Sequence, residues 1–189
     1  MRLALLRHSR PLVPDGLVYG RSEVPVDPTL DVAVADAVLD QLADVRGIVT
    51  SPRLRCRGLA HLLAARLRLD VQVDPRLREV DLGSWEGRTW SSVPREELDA
   101  WSADFADFRP GGGESTRQVL TRVSEALVEW RSGVTDQVWV THAGVIRALD
   151  LVRSGITEPV ASQWPRRPVP YGECEWLDAR EPLRDRHST

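Results

Sequence analysis

Three apolar runs of strand length each end in residues able to do chemistry. RLALLR (2–7) runs straight into Arg7-His8, and VWVT (138–141) runs into His142 with Gly144 just beyond. GIVTS (47–51) ends in Ser51 and feeds a helix-like stretch whose first turn carries Arg55. Brought together, two histidines and two arginines make a chemically specific set. The guanidinium group is a planar fork of donors matched to phosphate oxygens, and it keeps its charge at any physiological pH. A neutral imidazole is a competent nucleophile toward phosphorus. Taken singly, each histidine reads more plainly as a cap at the end of a strand or helix, and each arginine as a surface charge. All 25 basic residues are arginines, so an Arg-His pair is close to what chance supplies.

Bringing residues 7, 8, 55 and 142 together requires a particular scaffold. After the first run, residues 9–28 are rich in Pro and Gly and read as a long loop. Asp27-Pro28 then resembles a helix cap and first-turn proline, predicting a helix over 29–44. Val32, Ala35, Val38, Leu39 and Leu42 fall on one face of it. The second run is followed by a helix at 52–67, and VQV (71–73) reads as a third strand. Helices are expected near 94–104, at 114–131 and at 143–154, with GECEWL (172–177) as a last strand. Strands alternating with helices predict a three-layer α/β/α sandwich with a mainly parallel central sheet. In such sheets, sites collect beyond the carboxyl ends of the strands, where helix N-termini add N–H donors that favour an anion.

The 189 residues suit one domain, here 1–178, with 179–189 as a charged tail expected to fray. Residues 83–113 interrupt the alternation with Trp85, Trp90, Trp101 and a glycine run at 111–113, and read as a lid-like insertion. The tryptophans are expected to form its core, with stacking on a substrate ring as the alternative. His61 is expected to pack or face solvent. A net charge of −3 without a basic block argues against nucleic acid as a partner. No run approaches the length of a membrane span. Cys56 and Cys174 are isolated and lack metal-ligand spacing, which fits a reduced cytoplasmic protein. The absence of lysine excludes a Walker-type phosphate loop and Schiff-base chemistry.

LLRHSRP, TSPRLRCRGLA, LREVDLGSWEG, GGGES and VTHAGVIR occur in the order found in the histidine phosphatase, or phosphoglycerate mutase-like, superfamily. The resemblance runs from residue 3 to about 150. It implies that His8 is the nucleophile that becomes a phosphohistidine. By the same resemblance Arg7 and Arg55 bind the phosphate, and His142 donates to a phosphoryl oxygen. Glu79 sits where the family often carries its general acid, with Asp81 and Glu86 as rivals. GGGES would lie on the pocket rim, or simply lead into a helix cap. The resemblance implies no metal and no cofactor.

Short length and lack of lysine favour hydrolysis over a mutase reaction. The loop RPLVPDGLVYGRSEVPVD and the Arg-Cys-Arg of the second helix resemble the alpha-ribazole phosphatase branch. That implies a 5′-phosphatase of cobalamin nucleotide-loop assembly, with Arg21 as a further anion contact. Two departures stand out: Ser9 where many relatives have Gly, and Pro14 near a position where a small polar residue is common. Pro14 weighs further against a mutase. The alternatives are a broad small-molecule phosphatase, a phosphoglycerate mutase-like enzyme, a protein phosphohistidine phosphatase, and a catalytically silent protein that binds a phospholigand. The expected partner is a small phosphomonoester, with neither nucleic acid nor membrane. The oligomeric state is left open, a homodimer being one option.

Overall fold

Five strands form one sheet in the computed structural model, which describes residues 1–178: β1 (Arg2–Arg7), β2 (Gly47–Thr50), β3 (Val71–Val73), β4 (Gln137–Thr141) and β5 (Cys174–Asp178). Their spatial order is β3-β2-β4-β1-β5. The first four run parallel, and β5 closes one edge antiparallel to β1. The helices are α1 (Pro28–Val38), α2 (Leu54–Leu67), α3 (Arg95–Ala103), α4 (Thr116–Ser132) and α5 (Ala143–Arg153).

Strand pleating explains the layers. Leu3 and Leu5 of β1, Val49 of β2 and Trp139 of β4 join one buried cluster with residues of α4 and α5. Their neighbours Ala4, Leu6, Ile48, Val138 and Val140 point the other way into a cluster built on α1 and α2. A strand buried on both faces must be a continuous apolar run, which is what RLALLR is. Truncating one of its buried leucines to alanine would cost about 2–5 kcal/mol. The result is the α/β/α sandwich that the sequence predicts.

Boundaries differ in instructive places. The helix expected over 29–44 ends at Val38, and a 3-10 turn at Asp40–Leu42 carries the chain onward with Leu42 still buried. Asp27 caps α1 through the Thr29 N–H, with Pro28 in the first turn. The helix expected from Pro52 begins at Leu54, because Arg53 is still extended. Ser115 caps α4 in a reciprocal box with Gln118. Among the described residues, no helix is long and apolar enough to cross a membrane. The tail at 179–189 lies outside the described residues.

The stretch 83–113 folds as short turns around α3. Trp85 is fully buried there with Val18, Leu82 and Val93, and Trp101 and Phe108 pack against them. Trp90 stacks on Trp101 at a ring separation of 6.3 Å but stays partly exposed.

Candidate active site

The three chemistry-bearing strands are neighbours, and their ends are level. Arg7 pairs with Thr141, and Thr50 with Val140. One residue further, the His8 N–H donates to the Thr141 carbonyl at 3.1 Å and the Ser51 N–H to the Val140 carbonyl at 3.0 Å. The His8 and His142 rings therefore meet edge to face, centroids 5.1 Å apart. His142 Nε2 lies 2.7 Å from the Ser51 hydroxyl. Arg55 enters from the first turn of α2 and is fully buried.

His8 is held in one tautomer. Its Nδ1 lies 2.7 Å from the Ser9 carbonyl, which can only accept, so Nδ1 carries the proton and Nε2 keeps its lone pair. Burial and the nearby Arg55 push its pKa down to about 3; the Ser9 contact opposes this and Arg7 reinforces it. His142 is also driven well below the ordinary value, by burial first and then by the neighbouring His8 and Arg55. Both rings are therefore neutral at physiological pH. Ser9 is itself anchored, since its hydroxyl donates to the buried carboxylate of Asp31 on α1. A side chain at Gly58 of α2 would start 2.7 Å from that carboxylate, so the glycine admits it.

Two guanidinium groups flank the histidines. Arg55 donates to the carbonyls of Gly20 at 2.6 Å and Ser22 at 2.8 Å, which pins the loop after β1. Arg7 donates to the Val169 carbonyl and lies under the Tyr171 ring, its guanidinium carbon 3.6 Å from the ring centre. The Nε atoms of both arginines are buried without a hydrogen-bond partner. Buried orphan donors of this kind mark a place suited to an anion.

Glu79 reaches the N-terminus of α5. Its carboxylate accepts from the Val80 N–H at 3.0 Å and from the Gly144 N–H at 3.3 Å. The rival acids are committed elsewhere. Asp81 accepts from the Gly83 N–H and from Arg21, each at 2.9 Å. Glu86 accepts from the backbone N–H groups of Arg21, Ser22 and Leu82 and from the Ser22 hydroxyl. Burial pushes each of these two carboxyls up, but their hydrogen bonds outweigh it and hold both below the usual carboxylate range. Arg21 is largely exposed, with 64% of its side chain accessible, and its guanidinium is engaged by Asp81. The structure thus brings Arg7, His8, Arg55 and His142 into one group, Arg7 half-buried and the other three buried, sets Glu79 at the α5 N-terminus, and leaves Arg21 on the surface.

The glycine run packs backbone against backbone: a Cβ on Gly83 would lie 2.1 Å from the Gly111 carbonyl oxygen, and Gly111 itself has φ +56°. His61 is exposed on α2. Among the described residues, no group of three or more His, Cys, Asp or Glu side chains could hold a metal ion. Sequence reasoning missed the Ser9–Asp31 anchor, because an aspartate on a helix carries no signal of its own. It also missed Tyr19 and Tyr171, whose hydroxyls lie 2.7 Å apart beside the arginines.

The model of the histidine phosphatase superfamily (branch 1) matches residues 3–181. The chain belongs to the histidine phosphatase superfamily. It is 32% identical to a bifunctional protein of Mycobacterium tuberculosis, over 78% of this chain and 43% of that protein. The chain thus spans less than half the length of that relative. It is 35% identical to the glucosyl-3-phosphoglycerate phosphatase of Mycobacterium tuberculosis, over 87% of this chain and 78% of the relative. The crystal structure of the alpha-ribazole phosphatase from Shigella flexneri superposes with a TM-score of 0.79 at 26% identity, covering 94% of this chain and 90% of that one.

Proposed function

We propose that this histidine phosphatase superfamily member hydrolyses phosphomonoesters through a phosphohistidine at His8, without a metal ion. The observation that carries the reading is the fixed tautomer of His8: a neutral ring with Nδ1 tied to the Ser9 carbonyl and the Nε2 lone pair left for attack. Nε2 attacks phosphorus as the bond to the ester oxygen breaks, and Glu79 passes a proton to the leaving alkoxide. Water then attacks the phosphohistidine while the Glu79 carboxylate takes up the proton, releasing inorganic phosphate and neutral His8. Arg7 and Arg55 supply the positive charge that a metal supplies in other phosphoryl transfers. His142 donates to a phosphoryl oxygen. Glu79 is favoured over Asp81 and Glu86 because its carboxylate sits at the start of α5, bonded two residues from His142, while those two are turned toward Arg21 and Ser22. Two free cysteines suit a reducing cytoplasm.

The Pro-rich loop after β1 supports alpha-ribazole 5′-phosphate as the substrate. A specific observation favours a second reading, glucosyl-3-phosphoglycerate: the 35% identity to the mycobacterial phosphatase named for it. A kinetic panel tests both. Preference in kcat/KM for either compound over 3-phosphoglycerate and phosphohistidine peptide selects that reading. Equal rates on all four reduce the specificity to a broad phosphatase, and no hydrolysis of any contradicts the enzyme reading.

A further inference from the structure

Arg55 rests on two carbonyls of the loop after β1, and one carboxylate grips the chain behind them. Its Nη2 donates to the Gly20 carbonyl at 2.6 Å and its Nη1 to the Ser22 carbonyl at 2.8 Å. The Gly20 carbonyl and the Arg21 N–H belong to one trans peptide unit, so they point in opposite directions. That N–H donates to Glu86 Oε1 at 2.9 Å. The Ser22 N–H donates to Glu86 Oε2 at 2.7 Å, and the Ser22 hydroxyl donates to the same oxygen. The peptide plane at 20–21 is therefore clamped between an anion and a cation, and each polarises it in favour of the other.

We infer that Glu86 is a positioning residue: it fixes the direction of those two carbonyls and, through them, the plane of the Arg55 guanidinium. The inference rests on the reading of Arg55 as a phosphate ligand and adds what aims it.

Three observations carry it. First, Glu86 is filled as an acceptor: the Leu82 N–H also donates to Oε1, at 3.1 Å, so each carboxylate oxygen takes two donors. A carboxylate in that state can take up a proton only by giving up a hydrogen bond. This rival of Glu79 is built to hold the chain. Second, the loop stays attached without Glu86. Val18 exchanges backbone hydrogen bonds with Gly87 at 2.9 Å and Arg88 at 2.7 Å, and Glu23 accepts from the Leu54 N–H at 3.0 Å at the start of α2. Both ends of the stretch 18–23 are thus held independently, and what Glu86 adds is the orientation of the peptides between them. Third, Arg55 is fully buried and its Nε has no partner, so the two carbonyls are what hold its fork in one plane. That leaves the Nε–H and one N–H on each Nη for an anion.

The test is a double-mutant cycle with Arg55. Glu86→Gln keeps the shape of the side chain but turns an amide NH2 toward two of the four donors. It should lower kcat/KM by about tenfold to a hundredfold, equally on alkyl phosphates and p-nitrophenyl phosphate. Calorimetry should show inorganic phosphate bound about tenfold more weakly. In an Arg55→Lys background the same change should cost less than about twofold further in either measurement. Additive losses would make Glu86 a structural brace, and a loss confined to alkyl phosphates would make it the proton donor; either overturns the inference. The ¹⁵N spectrum of the arginine side chains gives a readout without turnover, because a guanidinium held in its plane shows separate Nη signals. Those of Arg55, identified by their loss in Arg55→Lys, should be resolved in the wild type and merge in Glu86→Gln. Signals merged in the wild type, or unchanged in the variant, overturn it too. Ser22→Ala removes one donor and keeps the backbone, and should weaken phosphate about threefold. If Glu86→Gln fails to fold, an unchanged affinity in Ser22→Ala overturns the inference. If the wild-type chain hydrolyses no ester, the phosphatase reading falls, and the spectrum still decides whether Glu86 aims Arg55.

Discussion

The carboxylate of Glu79 fills the space in which a side chain at position 144 would begin. A Cβ on Gly144 would lie 2.1 Å from Glu79 Oε1, while the Gly144 N–H donates to Oε2. Glycine at the start of α5 is therefore what lets the carboxylate reach the helix N-terminus.

Gly144→Ala should displace Glu79 and copy the loss in Glu79→Gln. Both variants should lower kcat by about 10²–10⁴ on alkyl phosphates, which need a proton on the leaving oxygen, and far less on p-nitrophenyl phosphate. Steady-state kinetics on the two ester classes checks this. Equal losses on both would move the proton donor away from Glu79.

Ser9 and Asp31 should act on His8 by holding it in place. Ser9→Ala frees the carbonyl that fixes Nδ1, so kcat should fall about tenfold or more with KM changed less than about twofold. Ser9→Thr, which keeps the hydroxyl, should recover most of the rate. Asp31→Asn should match Ser9→Ala. A loss confined to thermal stability, with kcat unchanged, would make the anchor structural only.

Acid should destabilise the protein before it protonates the nucleophile. The folded-state pKa of His8, about 3, and that of His142 both lie below the ordinary 6.5. Between roughly pH 6.5 and 3 the unfolded chain binds protons that the folded chain refuses. The contribution is fully present above pH 6.5 and is lost as pH falls, at up to about 1.4 kcal/mol per pH unit for each histidine. Urea midpoints measured from pH 7.5 to 5 should decline accordingly, and His8→Gln should flatten the slope. A stability independent of pH over that range would contradict the burial argument.

Much of this was legible in the sequence, and the limit is physical. RLALLR and VWVT announce buried parallel strands because both of their faces are apolar, and such strands must end at a common edge. That places His8, His142 and Arg55 together without any contact being known. Arg21 shows where the reading thins: an arginine beside a motif looks like an anion ligand, and only the fold reveals that Asp81 engages it. Glu114 had no visible partner in the sequence, yet it is buried against Arg122 at 2.8 Å and also accepts from Arg78, just ahead of Glu79. Long-range side-chain pairs leave no periodic trace, so neither this one nor the Tyr19–Tyr171 pair could be read from spacing.

That buried pair gives a stability prediction. Glu114→Gln leaves Arg122 buried beside an uncharged partner and should cost about 3–5 kcal/mol in chemical denaturation. A loss below about 1 kcal/mol would mean that the pair is effectively solvated.

The most direct measurement is whether phosphate becomes bonded to His8. Substrate labelled in the phosphoryl group, mixed for milliseconds and quenched in alkali, should leave acid-labile label on the peptide containing His8. His8→Ala should abolish both the label and turnover. Full turnover without label, or activity that survives His8→Ala, would contradict a phosphohistidine mechanism.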